Sequence, residues 1–400
     1  MSIEMNPIIF DNFTIITSLA LILLSIVTPM LNPFFRFSKK DANHSHHQEP
    51  PLTDLPPLSV VLTPMDDIEG LRNNLPHLLR QDYPAGFQVI VVIEQGDHDA
   101  EAVIGHIREN VLTPMASAST ALYVTYIPKS SRYISRKKLA ITLGIKAAQT
   151  EWVVLTETTC RPASDQWLKL MARHCSDERN MVIGYGRYAD DTSSYRRFER
   201  MHTSFYLMRE TAKHTAYRDN SNNLMFRKSE FMGGDGYLGN LNLMRGEYDF
   251  LVNKHARKLS TALEASDGAW MVEDAPTKKS WLNRHVYYLE SRKYLRRSKA
   301  HRLWFNLDQS FLHLNTCLII AAGVYAGITQ RWVLLAAASL ALIITIVFRT
   351  LLCRKALHDF GEDLSPLAAF VYEHTVVWHR LWYIIRYRLS DQSDFTTHKL

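Results

Sequence analysis

The run FTIITSLALILLSIVTPML, from Phe13 to Leu31, contains no charged side chain. A structure must bury such a run on all sides or place it in lipid, and its length is enough to cross a hydrocarbon core of about 30 Å. Two later runs share the property, Ser310 to Ile328 and Trp332 to Phe348, and only Thr329, Gln330 and Arg331 separate them. So tight a connection implies a helical hairpin. Near-continuous apolar runs of this length are unusual in soluble domains, so three membrane-crossing helices are predicted. A secretory signal would open with a basic region. Phe13–Leu31 is instead preceded by Glu4 and Asp11 and followed by Arg36, Lys39 and Lys40, which reads as a retained anchor.

The charges around these runs predict an orientation. Basic residues precede the hairpin (Arg292 to Arg302) and follow it (Arg349, Arg354, Lys355). By the positive-inside rule both flanks face the cytoplasm, and the N-terminus lies outside. Residues 36 to 309 are then expected on the cytoplasmic side of a multi-pass protein of the inner (cytoplasmic) membrane. The formal net charge of +6 is concentrated in these flanks, which suits membrane lipid as a partner and argues against a nucleic-acid groove. Pro366 to Arg388 mixes aromatics with Arg and His, as an interfacial helix or a short fourth span would. The four cysteines have neither CxxC nor ligand spacing, so neither a disulfide framework nor a zinc site is expected, and the central region belongs in a reducing compartment.

Five segments follow: an anchor (1–37), a linker (38–57), a central domain (58–309), the hairpin (310–348) and a cytoplasmic or interfacial C-terminal segment (349–400). The linker is polar and proline-rich; its His44, His46 and His47 lack a fourth ligand and read as solvated side chains. In the central domain, apolar strand-like runs at Leu58–Thr63, Phe87–Glu94, Ala121–Ile127 and Glu151–Thr156 alternate with helical patterns near Leu71–Leu79, Asp99–Asn110 and Lys137–Gln149. Fully apolar strands alternating with helices predict a parallel sheet covered on both faces. Ligands of such sheets bind beyond the carboxyl ends of the strands, where this chain carries Asp66, Asp67, Glu94 and Glu157. Sugar hydroxyls, a ribose or a divalent ion would use such carboxylates, and helix capping is the structural alternative for Asp66 and Asp67.

The order of segments carries a resemblance over residues 58 to 295. PLSVVLTPMDDIEGLRNNLPHLLRQDYPAGFQVIVVIEQGD, SRKKLAITLGIKAA, VVLTETTCRPASDQWL, NSNNLMFRKSEFMGGDGY and GEYDFLVNKHA follow one another as the motifs of the inverting glycosyltransferases of family 2 do. The ensemble most resembles bacterial membrane-bound members that build surface polysaccharides. The resemblance implies a Rossmann-like α/β domain of the GT-A type, with a mixed, mostly parallel sheet and helices on both faces, here joined to three transmembrane helices. It also implies a nucleotide-sugar donor, most commonly a uridine diphosphate sugar, and a lipid-linked or saccharide acceptor.

Inverting transfer needs a base, compensation for the leaving diphosphate and a platform for the nucleotide. The resemblance puts Glu247 at the base, with Asp249 as the alternate; dipole-favoured capping is the structural reading of this pair. It puts Pro64, Asp67, Glu69 and Glu94 at the nucleotide, and Lys137 at the family's conserved-type lysine. The family's D-x-D motif holds a divalent cation, Mg2+ or Mn2+, but this chain reads Glu157-Thr158-Thr159. Glu157 and Thr159 are the metal positions, and a hydroxyl is a weak ligand for a hard cation. Lys137, Arg161 and the stretch around Arg292 and Lys293 are the cations available to share that work, although the latter stretch also suits a lipid-contacting flank. Tyr195 to Arg209, aromatic and basic, reads either as a membrane-surface guide for the acceptor or as a helix packed on its own domain. Two further functions compete: a catalytically degenerate binding or assembly protein, suggested by the altered motif, and a polymerising synthase, disfavoured by so few spans.

Overall fold

Every side chain of Leu58–Leu62 (β1) is buried, so this strand has no solvent face and must lie inside a covered sheet. In the computed structural model, which describes residues 10–37, 54–115, 120–129, 134–391 and 393–396, it does. Most of the 38–57 linker, with His44, His46 and His47, lies outside the described residues. After β1, Ile68–Leu79 (α1) buries Leu71, Leu75, Leu78 and Leu79 at helical spacing, and Asp67 caps it through Gly70 N at 3.0 Å. Phe87–Glu94 (β2), His98–Ile107 (α2), Thr120–Ile127 (β3), Arg136–Ala147 (α3) and Trp152–Thr156 (β4) complete the alternation. α2 ends at Ile107, ahead of the expected Asn110, because Arg108–Leu112 widens into a looser turn.

The second half of the domain is less regular: Cys160–Pro162 (β5), Trp167–Ala172 (α4), Met181–Gly184 (β6), Gly186–Tyr188 (β7), Ser194–Lys213 (α5), Leu224–Arg227 (β8), Lys228–Gly233 (α6), Glu247–His255 (α7), Thr261–Glu264 (β9), Met271–Glu273 (β10) and Lys278–Ser291 (α8). The main sheet has seven strands in the order β3-β2-β1-β4-β8-β6-β9. β3, β2, β1 and β4 are parallel, β8 runs antiparallel to both its neighbours, and β6 and β9 are parallel. Gly144 lets α3 approach closely, since a Cβ there would lie 2.5 Å from Val61 Cγ1.

β5, β10 and β7 form a second, three-stranded sheet at the carboxyl side of β4 and β6. Asn223 joins the two sheets from a buried position, accepting from Trp167 Nε1 at 2.9 Å and donating to the carbonyls of Ala269 (2.8 Å) and Tyr185 (3.2 Å). α5, the aromatic and basic segment, is buried along most of its length, which favours packing over a membrane-surface guide.

Chain contacts define two units: Lys39–Ser298 with Trp382–Leu400, which contains both sheets, and the N-terminal residues to Ser38 with Lys299–Leu381. The second unit holds three helices long and apolar enough to cross a membrane, Asn12–Leu31, Ser298–Ile328 and Trp332–Asp359. The middle one begins at Ser298, ahead of the apolar run at Ser310. These helices meet on small or apolar residues, including Leu21, Ile319, Ala326, Ala338 and Ala341. Polar clips tie them at both ends. Arg331 in the hairpin turn pairs with Asp11 at 2.7 Å, while buried Arg349 pairs with Asp308 at 3.2 Å and Glu373 at 2.8 Å. Asn32 adds a hydrogen bond to Glu373. Pro366–Arg388 is one continuous helix. All four cysteines are free.

Candidate active site

Three consecutive basic residues open α3, and each goes to a different place. Arg136 pairs with Glu94 at the end of β2 (2.6 Å), and Lys137 pairs with Glu157 beyond β4 (2.6 Å). Lys138 turns away into the protein, where it is 1% exposed and donates to the carbonyls of Asn240 (2.7 Å) and Leu243 (2.6 Å). Burial pushes its pKa down to about 8, with nearby Glu247 opposing that shift. Three cations at the positive end of a helix repel one another and the dipole, so this turn is stable only with acids or carbonyls opposite it.

The loop after β4 is braced from several sides. Thr158 donates its hydroxyl to Asp67 Oδ2 (2.6 Å), and Asn74 donates to Thr158 O (2.7 Å) and Asp274 Oδ2 (2.9 Å). Arg161 pairs with Asp274 at 2.7 Å. Asp67 therefore caps α1 and braces this loop at once, while Pro64 is buried beside it and Asp66 and Glu69 are exposed.

Glu247 and Asp249 begin α7, after Gly246, whose φ of 95° only glycine adopts readily. Both acids are buried, and Glu247 Oε1 has no hydrogen-bond partner among the described residues. Burial pushes Asp249 up to about 7; Arg218 opposes the shift, and Asp219 and Glu247 add to it. Tyr237 lies near both Glu247 and Glu157. It is buried, and burial followed by the charges of Glu247 and Glu157 raises its hydroxyl well above the ordinary value. Tyr248 is raised in the same way, by burial and then by Glu157.

A further acid, which the motif reading did not single out, lies at the end of β10. Glu273 is buried between Arg200 Nη2 (3.0 Å), Arg284 Nη1 (3.1 Å) and Asn222 Nδ2 (3.1 Å). Burial alone would raise its pKa, but Arg284 and Arg200 outweigh that and hold it below the ordinary value. Tyr188 lies under both guanidinium groups, 5.0 and 5.7 Å from ring centre to carbon. Cys160 sits between Glu273 and Glu157; burial first, then these charges, raises its thiol far above reactive values.

Glu157 thus holds Lys137 and lies near Tyr237 and Tyr248, Glu247 lies near Tyr237 and Asp249, and Asp67, Arg161 and Glu94 follow the adjoining sheet edge. Lys293 is committed elsewhere: it pairs with Glu290 at 2.8 Å and lies over the Tyr387 ring. Arg292 is the C-cap of α8. The cations beside the buried acids are Arg200, Arg218 and Arg284 instead. An open cavity of about 490 Å³ at the far end of α7, lined by Glu230, Lys254, His255 and Arg257, contains none of these groups.

The donors at the motif positions themselves are already engaged. Glu157 is already neutralised by Lys137, Thr158 directs its hydroxyl to Asp67, and the Thr159 hydroxyl faces the Cys160 sulfur at 3.8 Å. Glu273 and Asp274 are each held by arginine. A hard cation at the motif itself would have to displace Lys137 to obtain the Glu157 carboxylate.

No family model matches this chain, and no curated protein matches it by sequence. Solved structures do. The mannosyltransferase PcManGT from Pyrobaculum calidifontis, solved with GDP-Man and Mn2+, is similar with a TM-score of 0.53 at 15% identity, over 91% of this chain and 99% of that one. Residues 1–349 of S. aureus TarS align with a TM-score of 0.38 at 12% identity, over 80% of this chain and 91% of that one. The same TarS segment with UDP-GlcNAc gives 0.39 at 12% identity, over 81% and 92%. The likeness to the mannosyltransferase establishes a shared fold: a mixed α/β domain with apolar helices, of a kind found in a glycosyltransferase.

Proposed function

We propose that this chain is a membrane-anchored, inverting glycosyltransferase of family 2 that moves a sugar from a nucleoside diphosphate donor to a lipid-linked or saccharide acceptor in surface polysaccharide assembly. Its α/β unit faces the cytoplasm in this reading. The observation that carries the proposal is Glu247: a buried carboxylate with an unpartnered Oε1 at the start of α7.

In the reaction, Glu247 takes the proton of the acceptor hydroxyl as its oxygen bonds to the anomeric carbon. The bond from that carbon to the phosphate oxygen breaks in the same step, and the nucleoside diphosphate leaves with the electron pair. Lys137, in the first turn of α3, and Arg161, on β5, offset the charge that develops on the diphosphate. The nucleotide lies along Pro64, Asp67, Glu69 and Glu94, and Asp249 sets the local field behind the base. With Lys137 in the cation's place, no step requires a metal.

Purified protein in detergent, given a panel of nucleotide sugars, is expected to turn over one of them, to keep that activity in EDTA, and to lose about 10²-fold or more as Glu247→Gln. Absence of binding to every donor, with Mn2+ and Mg2+ each supplied, would instead favour a degenerate assembly protein.

A further inference from the structure

The loop that leads into Glu247, residues 234–246, is held from three directions. Lys138 draws in the carbonyls of Asn240 (2.7 Å) and Leu243 (2.6 Å). Ser135, the N-cap of α3, donates its hydroxyl to the carbonyl of Met244 at 2.8 Å. The third hold comes from the far end of the chain, where the N–H of Met244 donates to the carbonyl of Phe395 at 3.0 Å.

Phe395 is firmly seated for a residue so near the terminus. It is 3% exposed, on the short turn Ser393–Thr396. Its ring meets Tyr287 of α8 edge-on at 5.4 Å and Tyr387 at 5.5 Å, and the Tyr287 hydroxyl reaches the carbonyl of Asp394 at 3.4 Å. The preceding helical turns are fastened to the same domain. Tyr383 stacks on His285 at 4.1 Å and donates to Glu199 at 2.9 Å, while Tyr387 and Lys293 share Glu290.

We infer that the described residues 382–391 and 393–396 form a strap completing the active site, and that Phe395 is a positioning residue for Glu247, acting through Met244. The inference rests on the reading of Glu247 as the base. Because Glu247 Oε1 has no hydrogen-bond partner among the described residues, that atom takes its place from the backbone carrying it. That backbone comes directly from Met244, Arg245 and Gly246. Releasing the strap leaves donor contacts at the sheet edge untouched but lets the base drift, and a misplacement of about 1 Å costs on the order of 10²-fold in rate.

The test compares the full chain in detergent with a variant ending at Asp391 and with full-length Phe395→Ala. Hydrogen exchange of the peptide covering Met244 is expected to quicken about tenfold when its acceptor carbonyl is removed by truncation or unseated by loss of the Phe395 ring, with β1 and β4 unchanged as the folding control. Turnover is expected to fall about tenfold or more while KM for the donor stays within about twofold. Unchanged exchange at Met244 in both variants overturns the strap. Faster exchange with unaltered turnover overturns the positioning role. Should the wild-type chain turn over no donor, the transferase reading falls, and exchange at Met244 still decides the strap.

Discussion

Replacing Asp249 by Asn should make the protein more stable at alkaline pH than at acid pH, relative to the wild type. The Asp249 carboxyl has a pKa of about 7 in the folded chain against an ordinary 3.8, chiefly because it is buried. Below pH 3.8 both folded and unfolded chains keep the proton. Between 3.8 and about 7 only the folded chain does, so the native state binds more protons and loses stability as pH rises. Above pH 7 that loss is complete, at about 4 kcal/mol for a gap of about three pH units. Asn is neutral at every pH and escapes the loss; the pull of Arg218 is already contained in the pKa of about 7, and the part of the loss between pH 5 and 7 is about 2–3 kcal/mol. For a domain of this size that is about 4–8 °C in melting temperature. Thermal unfolding in detergent from pH 5 to 8.5 should show the variant gaining on the wild type by that amount. A difference that stays flat across the range would mean that Arg218 keeps Asp249 ionised throughout, and the burial argument would be wrong.

Other expectations follow from ion pairs. Lys137→Met should lower turnover by about 10²- to 10³-fold, since it removes the cation opposite the leaving group. It also strands a mostly buried Glu157 carboxylate, so adding Glu157→Gln should recover melting temperature without recovering rate. Rate recovery in the double variant would show that the pair is structural only. Arg349→Met should cost about 3–5 kcal/mol, read as a lower melting temperature, because Asp308 and Glu373 would lose their shared cation inside the helical unit. An unchanged melting temperature would mean that the two carboxyls are neutral without it.

Features that depend on near neighbours in sequence were legible from the residues. LSVVL and FQVIVVIE could be read as buried parallel strands because continuous apolar character with β-branching has few other uses. The apolar runs could be read as spans for a similar reason, and the structure contains three helices of suitable length and composition. Placing Asp67, Glu94 and Glu157 on one edge required only the alternation of strands and helices. The Lys137–Glu157 pair was half visible: both residues were singled out, but as a metal motif and a family lysine, not as partners. Glu273, Arg200 and Arg284 gave no local signal. β10 and β7 have three residues each, too short for any periodicity, and Arg200 lies in the stretch from Tyr195 to Arg209, which read as an acceptor guide or a packed helix with no single residue marked out.

Apolar length and strand pattern alone therefore determined where long apolar helices and the sheet would form, because the hydrophobic effect acts on composition within a window of residues. The tertiary structure decided which charges meet. It gave adjacent Arg136, Lys137 and Lys138 three separate partners, brought Glu273 between two arginines, and carried Phe395 back to the loop before Glu247. Contacts of that kind depend on distance and burial in space. Residues as far apart in sequence as Met244 and Phe395 have no shared local pattern that could announce them.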